Sequence, residues 1–214
     1  MRRWTVYILL CAIAWVPQVR AQIAESAQAV RPILVGSPVP AVELTELSGE
    51  ATTLAALLGG RRTVLVFYRG GWCPFCNLQL SELRKLGPDL AAQDFQLLAV
   101  SPDRAEILRK TLEEGDIDFT LASDSRALAL QAFGIAFRVD DATLEKYRGF
   151  GVDLEQASGQ AHHALPVPSV FVIDAAGLIQ FAYVNPDYRT RVPLRMVRAA
   201  MEAVAAGETG KPLK

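Results

Sequence analysis

The chain has 214 residues, 51% of them hydrophobic, with a formal net charge of −1. That length and composition supply one substantial core. The near-balanced charge excludes the basic surplus of a nucleic-acid binder and the acidic run of a disordered tail, and the chain has neither an internal repeat nor a low-complexity tract.

Residues 1–21 read as a secretory signal peptide. Arg2 and Arg3 give a positive start, Trp4 to Val16 is an almost unbroken apolar run, and Pro17 follows. Val19-Arg20-Ala21 then offers a cleavage site, with Gln22 as the new first residue. The alternative, an uncleaved membrane anchor, would need a run of ~20 apolar residues, longer than this one. The expected destination is the periplasm or the exterior. Cleavage removes Arg2, Arg3, Arg20 and Cys11, leaving 19 basic residues against 23 acidic ones. Cys73 and Cys76 are then the only cysteines, and both lie in one C-x-x-C.

Residues 22–35 read as a flexible lead-in to a domain at 36–208. From Gly36 to Leu44, Pro38 and Pro40 favour an extended chain. Ser48-Gly49-Glu50 reads as a turn, and Thr53 caps a short helical piece, Leu54 to Leu58, stopped by Gly59-Gly60. Thr63 to Tyr68 is a continuous β-branched and aromatic run, as in a strand covered on both faces. Arg69-Gly70-Gly71 is a turn, and a helix follows from about Pro74 to Leu86, ended by Gly87-Pro88. Phe95 to Val100 is a second core strand. Ser101 or Asp103 caps a helix over about Arg104 to Glu113, Phe119 to Leu121 is a short strand, and Ser125 to Phe133 is helical. Residues 135–166, with Arg138, Tyr147, His162 and His163, lack periodicity and read as an irregular insertion covering part of the fold. Ser169 to Ile173 and Ile179 to Val184 form a hairpin across Asp174-Ala175-Ala176-Gly177, and an amphipathic helix runs from about Pro193 to Ala206. This order implies an α/β fold, a mixed sheet with helices on both faces.

The pair at Cys73-Pro74-Phe75-Cys76 sits where a strand gives way to a helix. The unpaired N–H groups and positive dipole end of a helix start stabilise a thiolate. Residues three apart share a helix face, close enough for a disulfide after small adjustment, and Pro74 suits the first turn. Cys73 is expected as the exposed, attacking thiol and Cys76 as its buried partner. Half a zinc site is the competing reading. Only His162 and His163 could complete it, and adjacent histidines rarely both ligate. A purely structural disulfide would close too short a loop to stabilise much. No cofactor or metal is expected.

From Gly36 to about Ala200 the sequence resembles the thioredoxin superfamily and, within it, the peroxiredoxin-like (AhpC/TSA) proteins. The resemblance is carried by Gly36-Ser-Pro-Val-Pro40, Val64 to Tyr68, Leu98-Ala-Val-Ser101-Pro-Asp103 and Pro168 to Asp174 with Gly177. It implies a three-layer thioredoxin-like fold of the peroxiredoxin type. Peroxiredoxins place a Thr three residues before the attacking Cys and an Arg before the Phe-Val-Ile-Asp-like strand. On that pattern Cys76 takes the attacking place, Cys73 replaces the Thr and Pro168 replaces the Arg. Thioredoxins have their cis-Pro where Pro168 stands, so the resemblance implies a cis Val167–Pro168 bond and a substrate-positioning role for Pro168, with Trp72 shaping the approach to Cys73. Arg138 is the candidate to stand in for the missing Arg.

Three functions follow. The first is an antioxidant peroxide reductase running a Cys73/Cys76 dithiol–disulfide cycle, regenerated by a thioredoxin-like or other thiol donor. The second is an exported oxidoreductase acting on protein disulfides. The third is a non-catalytic metal-binding module. Oligomeric state is not legible in the sequence.

Overall fold

The computed structural model describes residues 22–115 and 117–209. The signal-peptide reading of residues 1–21 lies outside them. Nine strands and eight α-helices follow one another along the described chain: β1 (Glu43–Thr45), β2 (Ala51–Thr53), α1 (Leu54–Leu58), β3 (Arg62–Phe67), α2 (Pro74–Arg84), α3 (Gly87–Ala92), β4 (Phe95–Ser101), α4 (Ala105–Gly115), β5 (Thr120–Ser123), α5 (Leu128–Ala132), β6 (Ala136–Arg138), α6 (Asp141–Gly149), α7 (Leu154–Ser158), β7 (Ala164–Pro166), β8 (Ser169–Ile173), β9 (Ile179–Val184) and α8 (Leu194–Ala205).

Seven strands form one sheet in the order β2-β1-β5-β4-β3-β8-β9. β3, β4 and β5 are parallel, β8 runs antiparallel to β3, and β9 turns back antiparallel to β8. The period of two along β3 divides the core between the sheet's faces. Val64, Val66 and Tyr68 pack with Leu80 and Leu83 of α2, Leu108 of α4 and Met201 of α8. Leu65 and Phe67 pack on the other face with Leu54 of α1, Leu130 of α5 and the rings of Phe133 and Phe171. Both faces are covered, so the central strands carry no polar alternation.

Local signals account for many of the boundaries. The Thr53 hydroxyl accepts from the Ala56 amide, and Gly59 closes α1 in the left-handed region. Pro74 starts α2, as expected. Elsewhere the structure corrects the sequence reading. The hairpin partner β2 and the helix α3 are additions, because Gly87-Pro88 starts a helix as well as ending one.

Residues 22–35 are not loose. The Ala24 amide donates to the Ala136 carbonyl, Arg31 N–H to Gly134, and Ile33 N–H to Phe133. A side chain at Gly134 would collide with the Arg31 carbonyl, its Cβ lying 2.0 Å away. The absence of that side chain lets the lead-in approach. The insertion at 135–166 is likewise regular. β6 and β7 pair antiparallel, with α6 and α7 between them. Asp140 and Asp153 cap these two helices through their carboxylates. Val139, Leu144, Leu154 and Leu165 make a small core of their own, against which Trp72 packs. Val167–Pro168 is trans, like every described peptide bond. Pro168 precedes β8 directly, and its carbonyl accepts the Asn185 amide just beyond β9, so the trans chain runs straight into the β8–β9 pairing.

Candidate active site

β3 ends at Phe67, and the chain turns through Arg69-Gly70-Gly71-Trp72 into the first turn of α2. Cys73 is the N-cap, and its carbonyl accepts from the amides of Cys76 and Asn77, each at 3.0 Å. The Asn77 side chain ties back to the Gly71 carbonyl at 2.8 Å. Gly70 has φ +151°, and a Cβ there would meet Trp72 Nε1 at 2.2 Å, so this turn requires glycine.

Both cysteines are reduced thiols, and both are buried, Cys73 at 1% exposure and Cys76 at 0%. The expectation of an exposed Cys73 is therefore corrected. Arg69 and Trp72 lie beside it, with rings from two distant segments over them. The Arg69 guanidinium is 5.2 Å from the Trp72 ring, 5.5 Å from Tyr147 of α6 and 4.3 Å from Tyr188. Arg69 also donates to the Tyr147 hydroxyl. Trp72 and Tyr147 meet with their rings tilted at 51°, centroids 5.4 Å apart, and Phe75 meets Tyr188 edge-on at 5.6 Å.

The two thiols are electrostatically unequal. A hydrogen bond from Cys76, above all, brings the Cys73 thiol down to about 6; the Cys76 backbone amide, Arg69 and Arg191 act in the same direction against burial. Burial, first, and then the neighbouring Cys73 sulfur push Cys76 well above the ordinary thiol range. The Cys73 thiolate is therefore populated at neutral pH while Cys76 holds its proton. Behind the turn, Asp103 accepts from the Gly71 amide at 2.9 Å, and burial pushes its carboxyl up to about 7. Its side chain serves the turn, while Ser101 Oγ accepts from the Asp103 amide.

Arg191 is the residue that sequence reasoning missed. It lies in the segment before α8, beyond the stretches that carried the resemblance. Its Nη2 donates to Cys76 Sγ at 3.5 Å and its Nη1 to Gln79 Oε1 at 2.7 Å. Arg138 does not take this place. It is exposed at the end of β6, where its amide bonds Ala24. Tyr147 and Tyr188 carried no motif signal either, and only their packing on Arg69 reveals them. Pro168 lies beside the end of β3, since Ser169 pairs with Phe67. The backbone around it is already engaged. Val167 N–H bonds Ile135, its carbonyl takes Ser169 Oγ, and the Pro168 carbonyl takes the Asn185 amide. The histidines are drawn elsewhere, His162 to the Ser125 carbonyl and His163 to Glu155. Among the described residues, no three His, Cys, Asp or Glu side chains gather as metal ligands would.

The fold that carries this cysteine pair has counterparts among known proteins. The AhpC/TSA family pattern matches residues 35–182. The chain belongs to the AhpC/TSA family. It is 28% identical over 106 residues to peroxiredoxin Bcp of Escherichia coli, covering 50% of this chain and 67% of that protein. It is also 33% identical over 78 residues to prostamide/prostaglandin F synthase of Salmo salar, 36% of this chain and 38% of that one. Among solved structures, peroxidoxin BcpB of Mycobacterium tuberculosis superposes with a TM-score of 0.60 at 21% identity, covering 79% of this chain and 97% of that one. Reduced Prx3 of Vibrio vulnificus does so with a TM-score of 0.64 at 19% identity, covering 79% and 99%. The fold is thus thioredoxin-like, of the peroxiredoxin type, and this AhpC/TSA protein is a thiol-dependent oxidoreductase.

Proposed function

We propose that the protein reduces peroxides through Cys73 and Cys76, with Cys73 attacking first. The observation that carries this reading is the opposed polarisation of the two thiols, Cys73 brought down to about 6 and Cys76 held up. The Cys73 thiolate attacks one peroxide oxygen; an S–O bond forms, the O–O bond breaks, and the departing oxygen takes a proton from water. Cys76 then attacks the Cys73 sulfur. The S–S bond forms, the S–O bond breaks, and the second oxygen leaves as water with the Cys76 proton. A thiol donor of thioredoxin type returns the two electrons by exchange at the disulfide.

Stopped-flow mixing of reduced protein with hydrogen peroxide tests this. We expect one equivalent consumed far faster than by free cysteine, no reaction in Cys73→Ser, and a single uncompleted turnover in Cys76→Ser. A rate no better than free cysteine overturns the reading. Loss of the first step in Cys76→Ser but not in Cys73→Ser reverses the two roles.

The engaged backbone at Val167 and Pro168 favours a peroxide over a protein disulfide, which would need free main-chain groups there to dock. Export is proposed on the character of residues 1–21. Protein recovered from a periplasmic extract or the medium should begin at Gln22.

A further inference from the structure

A cation placed on the less reactive thiol needs an explanation. Arg69, the cation beside Cys73, has its guanidinium among three rings. Arg191 reaches the other sulfur. It comes from a segment more than a hundred residues along the chain and is anchored on Gln79, itself almost buried. Its Nε is buried with no partner. It also lines a groove of about 310 Å³ between α2 and residues 189–194, walled by Phe75, Leu78, Leu83 and Val192. A guanidinium held with its Nη2 against a sulfur favours the negative form of that sulfur.

We infer that Arg191 is a catalytic residue for closing the disulfide, stabilising the Cys76 thiolate as it attacks the Cys73 sulfur. The assignment rests on Cys73 being the thiol oxidised first. Closing the bond requires Cys76 to give up its proton in a site where burial opposes the charge. Arg191 supplies the opposite charge at that sulfur without having to move into place. The groups facing Cys76 are Cys73 on its own helix, Tyr68 and the Arg69 backbone from the end of β3, and Arg191 from the segment before α8. Asp103 stands behind, against Gly71 and Tyr68. Arg191 is thus the one side-chain cation in that set.

Dithiodipyridine separates the two steps without using a peroxide. The Cys73 thiolate attacks one of its sulfurs, forming a mixed disulfide and releasing one thiopyridone. Cys76 then attacks the Cys73 sulfur, closing the protein disulfide and releasing the second. In Arg191→Met the second release should slow about tenfold at neutral pH, the effect of raising a thiol pKa by roughly one unit, while the first changes far less. Raising the pH should restore the second release, and Arg191→Lys should recover part of it. Gln79→Met, which keeps the charge but removes its anchor, should show a smaller split in the same direction, and it decides the matter if Arg191→Met fails to fold. With hydrogen peroxide, Arg191→Met should accumulate a sulfenic acid that dimedone traps. A second release at the parent rate in a folded Arg191→Met overturns the assignment. So does equal slowing of both releases, which would place the cation in the service of Cys73. If the parent does not consume peroxide but the two-step split persists, the substrate reading fails and the role of Arg191 stands.

Discussion

Arg69 is an almost fully buried cation surrounded by rings, with its Nε unpartnered. Such a charge is costly unless something nearby needs it, and the Cys73 thiolate does. Arg69→Met should therefore raise the Cys73 pKa from about 6 toward the ordinary thiol range, by about one unit or less, because hydrogen bonds from Cys76 persist. Tyr147→Phe should leave that pKa closer to the parent's, since it removes a hydrogen-bond partner of Arg69 and leaves the stacking. Thiolate absorbance followed against pH in the intact pair, where Cys76 keeps its proton, reads the Cys73 titration in each variant. In the intact pair, reactivity toward electrophiles should climb through about pH 6 and level off near neutrality, as the Cys73 proton is lost. The pair itself was plain in the sequence, because two cysteines three apart after a strand leave few other readings. Its surroundings were not. Arg191, Tyr147 and Tyr188 are common residue types in segments without periodicity, and only tertiary folding brings them to the thiols. The expected exposure of Cys73 failed for the same reason, since its cover comes from elsewhere in the chain.

At the scale of elements, the regular pieces were legible wherever one signal dominated. The hairpin Ser169–Ile173 and Ile179–Val184, the helix Leu54–Leu58 and the core strands follow from burial period, caps and turn residues. The insertion was not, because its two helices are short and its strands have three residues each. Residues 22–35 looked loose because their partners are backbone groups of Phe133, Gly134 and Ala136, and backbone pairing leaves no side-chain pattern. Gly134→Ala should therefore do damage at a distance. Its φ of +66° and the collision with the Arg31 carbonyl would push the lead-in off the domain. We expect protease cleavage within residues 22–35 to accelerate while the thiols still react as in the parent. Gly71→Ala should instead strike the site directly, since its Cβ would lie 2.1 Å from Thr111 Oγ1 on α4. That variant should lose disulfide closure along with thermal stability.

For the molecule as a whole, two buried carboxyls set the response to pH. Burial pushes both Asp103 and Asp124 up to about 7. Asp124 nonetheless accepts the amides of Ala129 and Leu130 at the start of α5. In the folded state each holds its proton up to about pH 7, whereas in the unfolded chain each loses it near 4. The stability they contribute is therefore fully present below about pH 4 and is lost as pH rises through about 7. With its other charges matched, the protein should melt at a lower temperature at pH 8 than at pH 5. Asp103→Asn should flatten that dependence, and thermal melts across this range would show it.

The cluster of rings on Arg69, beside the two buried sulfurs, draws on the end of β3, on α6 and on the stretch before α8, regions joined only in the finished fold. A bulky maleimide added in excess should consequently modify the cysteines at a speed set by the protein's own breathing, not by the dose of reagent. Labelling then becomes a gauge of how often those three stretches part company.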